Sequence, residues 1–391
     1  MKVTQVYEFL NDVSRQFQGS DCVRAIDTVG LQALGDTVLS SASDTDKFLG
    51  VLVDRIGKTI VRTLDLDINY PNLMMENFEF GAVLQKISVD PMDATEAARW
   101  DIAGDEFSPT LFKVDIPSAR QTLFDGIQTW NVDVTIPDKL LRTAFTSAEK
   151  MGSFLDAIIS AMRDSMTLKI NYVNRITLNT AIAIKVGEDK NVHHLLTEYG
   201  DVSLTDPEEA MRTPAFLKFM WKTMMDEIDY MGEPTTLYNY DGCVRATRRD
   251  NMHIFLNSQV ETAYKAYLES DTFNMEEIKL PLYQKVLSWQ GFVGQHNEGT
   301  SEDPEWVKNT MPDFQSATTI CNEYNTEVGT INKDYIIGAF FDRMALGTTI
   351  YDVRTSTDRN NRDEYTNYTS KCDIGQFIDT DHENGVIFML D

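Results

Sequence analysis

The chain has 391 residues, of which 42% are hydrophobic, a composition that supports a large folded core and excludes a disordered chain. Lys and Arg number 35 against 61 Asp and Glu, a net charge of −26, which argues against gripping DNA or RNA, where basic residues supply the affinity. Cys22, Cys243, Cys321 and Cys372 stand far apart with no Cys-x-x-Cys pair, which disfavours a zinc site or a disulfide scaffold and fits a reducing cytoplasm.

In chain order, Val3, Val6, Phe9, Leu10, Val13 and Phe17 predict a short amphipathic helix closed by Gly19. Residues 19–46 are rich in Gly, Ser, Asp and Thr and read as an irregular arm. A second helix is expected at Asp46–Ile56, then a strand whose apolar positions are Ile60, Leu64, Leu66 and Ile68. From 76 to 136 the texture changes. Phe78, Phe80, Ala82 and Leu84 alternate, then Ile87 and Val89, as a half-buried strand would, and strand-like alternation returns at Phe112, Val114 and Ile116 and again at Trp130, Val132, Val134 and Ile136. These strands enclose an acidic excursion at Asp90–Pro109 and predict an extended hairpin with little core of its own, stable only when laid on something else.

The stretch that dominates the pattern follows. Thr146-Ser147-Ala148-Glu149 spells a capping box. Met151, Phe154, Leu155, Ile158, Ile159, Met162, Met166, Ile170, Val173 and Ile176 then recur at helical spacing, with Gly187 placed as the stop. About 40 residues at ~1.5 Å each predict a spine of roughly 60 Å. No strict heptad suggests a coiled coil.

After it, a polar connector carrying His193 and His194 runs to Pro207. Thr213, Pro214 and Gly232 frame a helix with Leu217, Met220, Trp221, Met224, Ile228 and Met231 inward. Met252–Leu256 reads as a strand leading into a helix capped by Asn257, and Leu280–Phe292 as a further strand region. Residues 291–312 read as an acidic loop. Antiparallel strands are expected at Ile336–Phe341, Gly347–Val353, Tyr365–Cys372 and Val386–Leu390. Helices followed by runs of strands predict a mixed α+β fold.

The chemical motifs fail on spacing. Gly57-Lys58-Thr59 resembles the end of a phosphate loop, but six residues separate Gly50 from Gly57 where four are needed. Asp379-Thr380-Asp381-His382-Glu383 hints at a calcium loop, yet its Gly is displaced and Leu390 stands where the closing Glu belongs, so a solvated turn is expected. His193 and His194 are adjacent and diverge in regular structure, and no serine has a nucleophile-elbow context. No catalytic residue, cofactor site or metal site is expected. No apolar run of ~18 residues predicts a membrane span, and the N-terminal residues lack the apolar core of a signal peptide.

Two blocks carry a family resemblance. Phe48-Leu49-Gly50-Val51-Leu52-Val53-Asp54-Arg55-Ile56-Gly57 with Val61-Arg62 is one, and Val134-Thr135-Ile136-Pro137-Asp138 with Leu141-Arg142-Thr143-Ala144-Phe145-Thr146-Ser147 is the other. Both resemble the major capsid proteins of small short-tailed phages of the phi-29 group, with weaker similarity around Phe273-Asn274-Met275 and across Tyr335–Leu390, including Asp352-Val353-Arg354. The resemblance implies the Hong Kong 97-type capsid fold. On that fold residues 1–75 form an N-terminal arm with a first helix and strand, and 76–136 the extended hairpin loop. Residues 137–200 and 341–391 form a peripheral domain with the spine helix at 147–186, and 201–340 an axial domain.

What the resemblance implies about function is structural. The chain is expected to form pentamers and hexamers, assemble with a separate scaffolding protein and a portal, and enclose double-stranded DNA without sequence-specific binding. Its place is the virion, assembled in the host cytoplasm, without enzymatic activity or membrane contact. Some family members carry a C-terminal immunoglobulin-like module, which is expected to be absent because the chain ends at Asp391 straight after its sheet. An acidic inner wall would let packaged DNA move without adhering. Asp105, Glu106, Phe112 and Arg120 in the hairpin are candidate subunit contacts; Arg55, Arg62 and Arg142 are candidate salt-bridge partners, with ordinary intrachain pairing as the alternative for each. Two other classes stay open: an encapsulin-type shell, which shares the fold and loads an enzyme cargo, and an acidic cytoplasmic enzyme built around a concave pocket.

Overall fold

The structure, a computed structural model, describes residues 3–18, 23–41, 43–45, 47–52, 69–75, 84–89, 91–92, 116, 119–124, 127–267, 283–286, 289, 295–297, 306–308, 313–315, 320–321, 327–329, 332–360 and 362–391. The chain divides into two compact units. Met1–Phe80, Gly126–Leu178 and Gly347–Gln376 form the first; Gly81–Asp125, Asn179–Leu346 and Phe377–Asp391 form the second.

The elements begin with helices α1 (Val3–Gln18) and α2 (Thr28–Val38), then strands β1 (Leu84–Val89), β2 (Ala119–Phe124) and β3 (Ile127–Pro137). Helices α3 (Asp138–Ala144) and α4 (Ala148–Glu188) follow, then β4 (Val192–His194), α5 (Leu195–Tyr199), α6 (Pro207–Ala210) and α7 (Pro214–Gly232). Next come β5 (Met252–Asn257), α8 (Ser258–Tyr267) and β6 (Tyr283–Val286). Six short strands follow: β7 (Gln295–Asn297), β8 (Trp306–Lys308), β9 (Asp313–Gln315), β10 (Ile320–Cys321), β11 (Glu327–Gly329) and β12 (Asn332–Asp334). The last four strands are β13 (Ile336–Asp342), β14 (Leu346–Asn360), β15 (Tyr365–Ile378) and β16 (Gly385–Met389).

Helix α4 is the expected spine, continuous for 41 residues. Its apolar stripe, Met151, Phe154, Leu155, Ile158, Met162, Met166, Ile170 and Val173, is buried throughout. Both ends differ from the sequence reading. The Lys150 amide donates to Ser147 Oγ at 3.3 Å, whereas the Thr146 hydroxyl turns back to the Thr143 carbonyl at 2.7 Å. Ser147 is therefore the cap, and the third helical position is Lys150, so the capping box does not form. The helix also passes through Gly187 and stops after Glu188, where Asp189 and Asn191 take φ of 51° and 62°. Asp and Asn reach the left-handed region more readily than other non-glycine residues, which makes them the stop in place of the glycine.

In the first unit, β3 pairs antiparallel with β15 from Pro137↔Tyr365 to Ile127↔Gly375, within a three-stranded sheet ordered β14-β15-β3. Ile136, Tyr368 and Ile374 join α1, α2 and the stripe of α4 in one core. Residues 19–46 are not an irregular arm throughout, because α2 lies within them. Its two glycines, Asp36 and Thr37 disguise the buried stripe Leu31, Leu34 and Val38, and Asp27 caps it by accepting from the Gly30 amide at 2.7 Å. Residues 47–52 are helical, as expected for the middle of Asp46–Ile56. The expected strand from Ile60 to Ile68 lies outside the described residues.

The second unit is built on a five-stranded sheet ordered β4-β16-β13-β5-β6. Its three central strands are antiparallel, and the outermost pairs, β16–β4 and β5–β6, are parallel. Every residue of β5 and β16 is buried, which explains their near-continuous apolar spelling. Helix α7 buries Leu217, Met220, Trp221, Met224, Ile228 and Met231 in the same core as Phe340 and Phe388, as its spacing predicts. The four C-terminal strands all exist but serve two different sheets. The region expected as a polar connector holds β4 and α5, and the acidic loop at 291–312 holds the paired strands β7 and β8.

The hairpin is present, with its second strand displaced. β1 pairs with β2 from Leu84↔Phe124 to Val89↔Ala119, while the stretch Trp130–Ile136 belongs to β3. Phe78, Phe80, Ala82, Phe112 and Val114 lie outside the described residues.

Candidate functional site: a charged cluster at the root of the hairpin

The segment Asp379–Glu383 is not a solvated turn. Asp379, Thr380 and Glu383 are 4%, 4% and 7% exposed, and they form the floor of an ion cluster in the second unit. Strand β1 supplies Lys86, whose Nζ donates to Asp379 Oδ2 at 2.6 Å and to the Met344 carbonyl at 3.1 Å, and lies 2.7 Å from Glu383 Oε1. An ammonium has three donors, and all three are met here. Strand β2 supplies Arg120, which bonds to Asp241 Oδ2 at 3.2 Å and to Cys243 Sγ at 3.0 Å. His382 bridges the two carboxylates, with Nδ1 2.8 Å from Asp379 Oδ1 and Nε2 3.2 Å from Asp241 Oδ2. Arg245 Nε approaches Glu383 at 3.5 Å. Opposite charges thus alternate, from the poorly solvated Lys86, Asp379 and Glu383, where pairing is the condition under which buried ions are tolerated, to the half-exposed Arg120 and Asp241.

Burial alone would raise the Asp379 carboxyl, but Lys86 and His382 outweigh it and hold it below the usual range. Its neighbour Asp381 goes the other way: burial raises it, and the like charges of Asp379 and Asp241 add to that. Beside them is Lys185, fully buried near the end of α4, with Nζ donating to the Tyr238 carbonyl at 3.1 Å. Burial brings its pKa down to about 8, partly opposed by Glu188 and Asp381. Among the described residues no group of three or more His, Cys, Asp or Glu side chains is placed to hold a metal ion, and no helix is long and apolar enough to cross a membrane. The cluster's ions are met by partners from the chain itself, except that Arg245 Nη2 is buried without a hydrogen-bond partner, so the cluster's chemistry is that of fastening parts of the second unit together.

The sequence from 6 to 389 matches the family model of the Phi29-like phage major capsid protein. The chain belongs to that family. Among relatives of this capsid protein, the major capsid protein of Bacillus phage B103 is 22% identical over 309 residues, covering 78% of this chain and 64% of that one. The major capsid protein of Bacillus phage GA-1 is 26% identical over 170 residues, covering 42% of this chain and 34% of its own. The chain therefore spans under two-thirds of the length of the curated relatives it matches. In structure it is similar to the capsid of Staphylococcus phage Andhra, with a TM-score of 0.51 at 10% identity, covering 82% of this chain and 83% of that one. The fold is the Hong Kong 97-like capsid fold.

Of the contact residues expected in this capsid protein from sequence, Arg120 lies in the cluster just described, and Arg142 is exposed in the last turn of α3 with no ion-pair partner among the described residues. Arg55, Arg62, Asp105, Glu106 and Phe112 lie outside the described residues. Sequence reasoning missed Lys86 and Asp241. Their spacing from Asp379 along the chain leaves no local signal; the one available hint was a lysine on an alternating strand, flanked by Gln85 and Ile87.

Proposed function

We propose that this chain is the shell subunit of a tailed-phage head. It self-assembles through pentamers and hexamers with the help of a separate scaffolding protein and a portal, and the shell encloses double-stranded DNA without sequence-specific binding. It acts in the virion after assembly in the host cytoplasm, and its role is structural rather than enzymatic. The observation that carries this reading is the family match across residues 6–389.

The domain roles follow the same reading. Residues 1–75 serve as the arm and 76–136 as the extended hairpin loop. Residues 137–200 and 341–391 make the peripheral domain, and 201–340 the axial domain. The pairing of β1 with β2 around residues 90–118 supports the hairpin assignment. Asp105, Glu106, Phe112, Arg55, Arg62 and Arg142 are the proposed subunit contacts; Arg120, the seventh candidate, takes the intrachain alternative, paired with Asp241. A net charge of −26 keeps the inner surface from adhering to the genome and restrains association until a scaffold intervenes.

The test is sedimentation of the purified chain with negative-stain microscopy of the fast fraction, with and without a coexpressed scaffold. Shells, pentamers or hexamers are the expected result. A compact monomer under every condition overturns the reading.

A further inference from the structure

The two faces of the β1–β2 hairpin are chemically opposite. In its register Gln85 faces Leu123, Ile87 faces Gln121 and Val89 faces Ala119, so these side chains share one face. Ile87, Val89 and Leu123 on that face are 63%, 52% and 59% exposed. The other face carries Lys86, Arg120 and Phe124. Lys86 is held by Asp379, Glu383 and the Met344 carbonyl, Arg120 by Asp241, and the Phe124 ring sits 5.6 Å from that of Phe377. Among the described residues β1 and β2 pair with no further strand, and a two-stranded hairpin alone is marginal in water. Its order must come from the face that is held.

We infer that Lys86 and Arg120 form a positional latch that fixes the hairpin's roll on its own subunit and turns the apolar face outward before any partner arrives. Lys86 is the principal fastening, because its side chain is 13% exposed against partners at 2% and 9%. Arg120, at 35%, is the weaker one. The inference concerns the isolated subunit and stands or falls independently of shell assembly.

Hydrogen–deuterium exchange on the full-length chain tests it. In the wild type, the amides of 84–89 and 119–124 should exchange far more slowly than those of an unstructured peptide; exchange at the unstructured rate overturns the latch. Lys86→Met should speed exchange in these two segments at least about tenfold while leaving β5 and β13 protected, because local opening is governed by the contacts of the segment that opens. Ile87→Ser, on the free face, should leave it unchanged. Unaltered hairpin exchange in Lys86→Met overturns the proposal. Should Lys86→Met expose β5 and β13 as well, Arg120→Gln decides: faster exchange confined to the hairpin supports the latch, and no change overturns it.

Discussion

His193 stacks on Phe388 with ring centroids 5.2 Å apart and planes inclined by 12°. Its Nδ1 lies 3.0 Å from Glu198 Oε1 and its Nε2 3.3 Å from Glu227 Oε1, so one ring joins edge strand β4 to α5 and α7. Burial opposes the imidazolium, but the hydrogen bonds and charges of Glu227 and Glu198 prevail and lift the pKa above 6.5. A histidine whose folded pKa is raised contributes stability that is fully present below the unfolded value and is lost as pH rises through the folded one. The urea midpoint should therefore fall as pH rises from about 6.5 through the raised folded value. His193→Gln should flatten that fall. An unchanged slope in the variant would show that the ring is not the titrating group.

Lys185 imposes the opposite slope at higher pH. Its pKa is lowered from 10.5 to about 8, so between those values the unfolded chain holds the proton more often than the folded one. Stability rises with pH wherever the unfolded state binds more protons. Lys185→Met should remove that rise. The check is the unfolding free energy in urea on either side of pH 8, wild type against variant.

The start of the spine helix offers a local test. Ser147→Ala removes the side-chain acceptor of the Lys150 amide and should cost about 0.5–2 kcal/mol, the usual range for losing an N-cap. Thr146→Ala should cost less, since that hydroxyl donates to the Thr143 carbonyl on an exposed turn. Equal losses in chemical denaturation would restore Thr146 as a second cap.

Gly35 marks a close approach. A Cβ built there would meet Phe145 Cγ at 2.8 Å and its Cβ at 2.9 Å, atoms too near the backbone to swing aside. Gly35→Ala gains helix propensity, worth up to about 1 kcal/mol, yet should destabilise by about 1–3 kcal/mol through overpacking. Thermal unfolding of Gly35→Ala, Phe145→Ala and the pair separates the two terms, because Phe145→Ala removes the clashing Cγ and Cδ1, so the loss from Gly35→Ala should be smaller in that background.

Much of the fold was legible from spacing alone. The stripe of α4, the frame of α7 and the alternation of β15 could be read because each buries one continuous face, which writes a period into the chain, and β13 and β16 because burial along nearly their whole length leaves a short apolar run. α2 was not legible, since its stripe of Leu31, Leu34 and Val38 is diluted by Gly30, Gly35 and Asp36 and its stability comes from packing in the core. β2 was not legible either: Ala119-Arg120-Gln121-Thr122-Leu123-Phe124 has little apolar contrast, because one of its faces is held by ions and the other is exposed.

By itself, then, the sequence determined the family, the acidic charge, the spine helix and the order of helices and strands, all of which rest on local periodicity or on recognisable blocks. The tertiary structure alone decided that Asp379 and Glu383 lie buried against Lys86, nearly 300 residues away, and that Ser147 rather than Thr146 caps the spine. It also decided that the last four strands serve two sheets. The physical reason is that an ion pair or a sheet neighbour is chosen by where two distant segments meet in space, and charge in a sequence carries no period from which that meeting can be read.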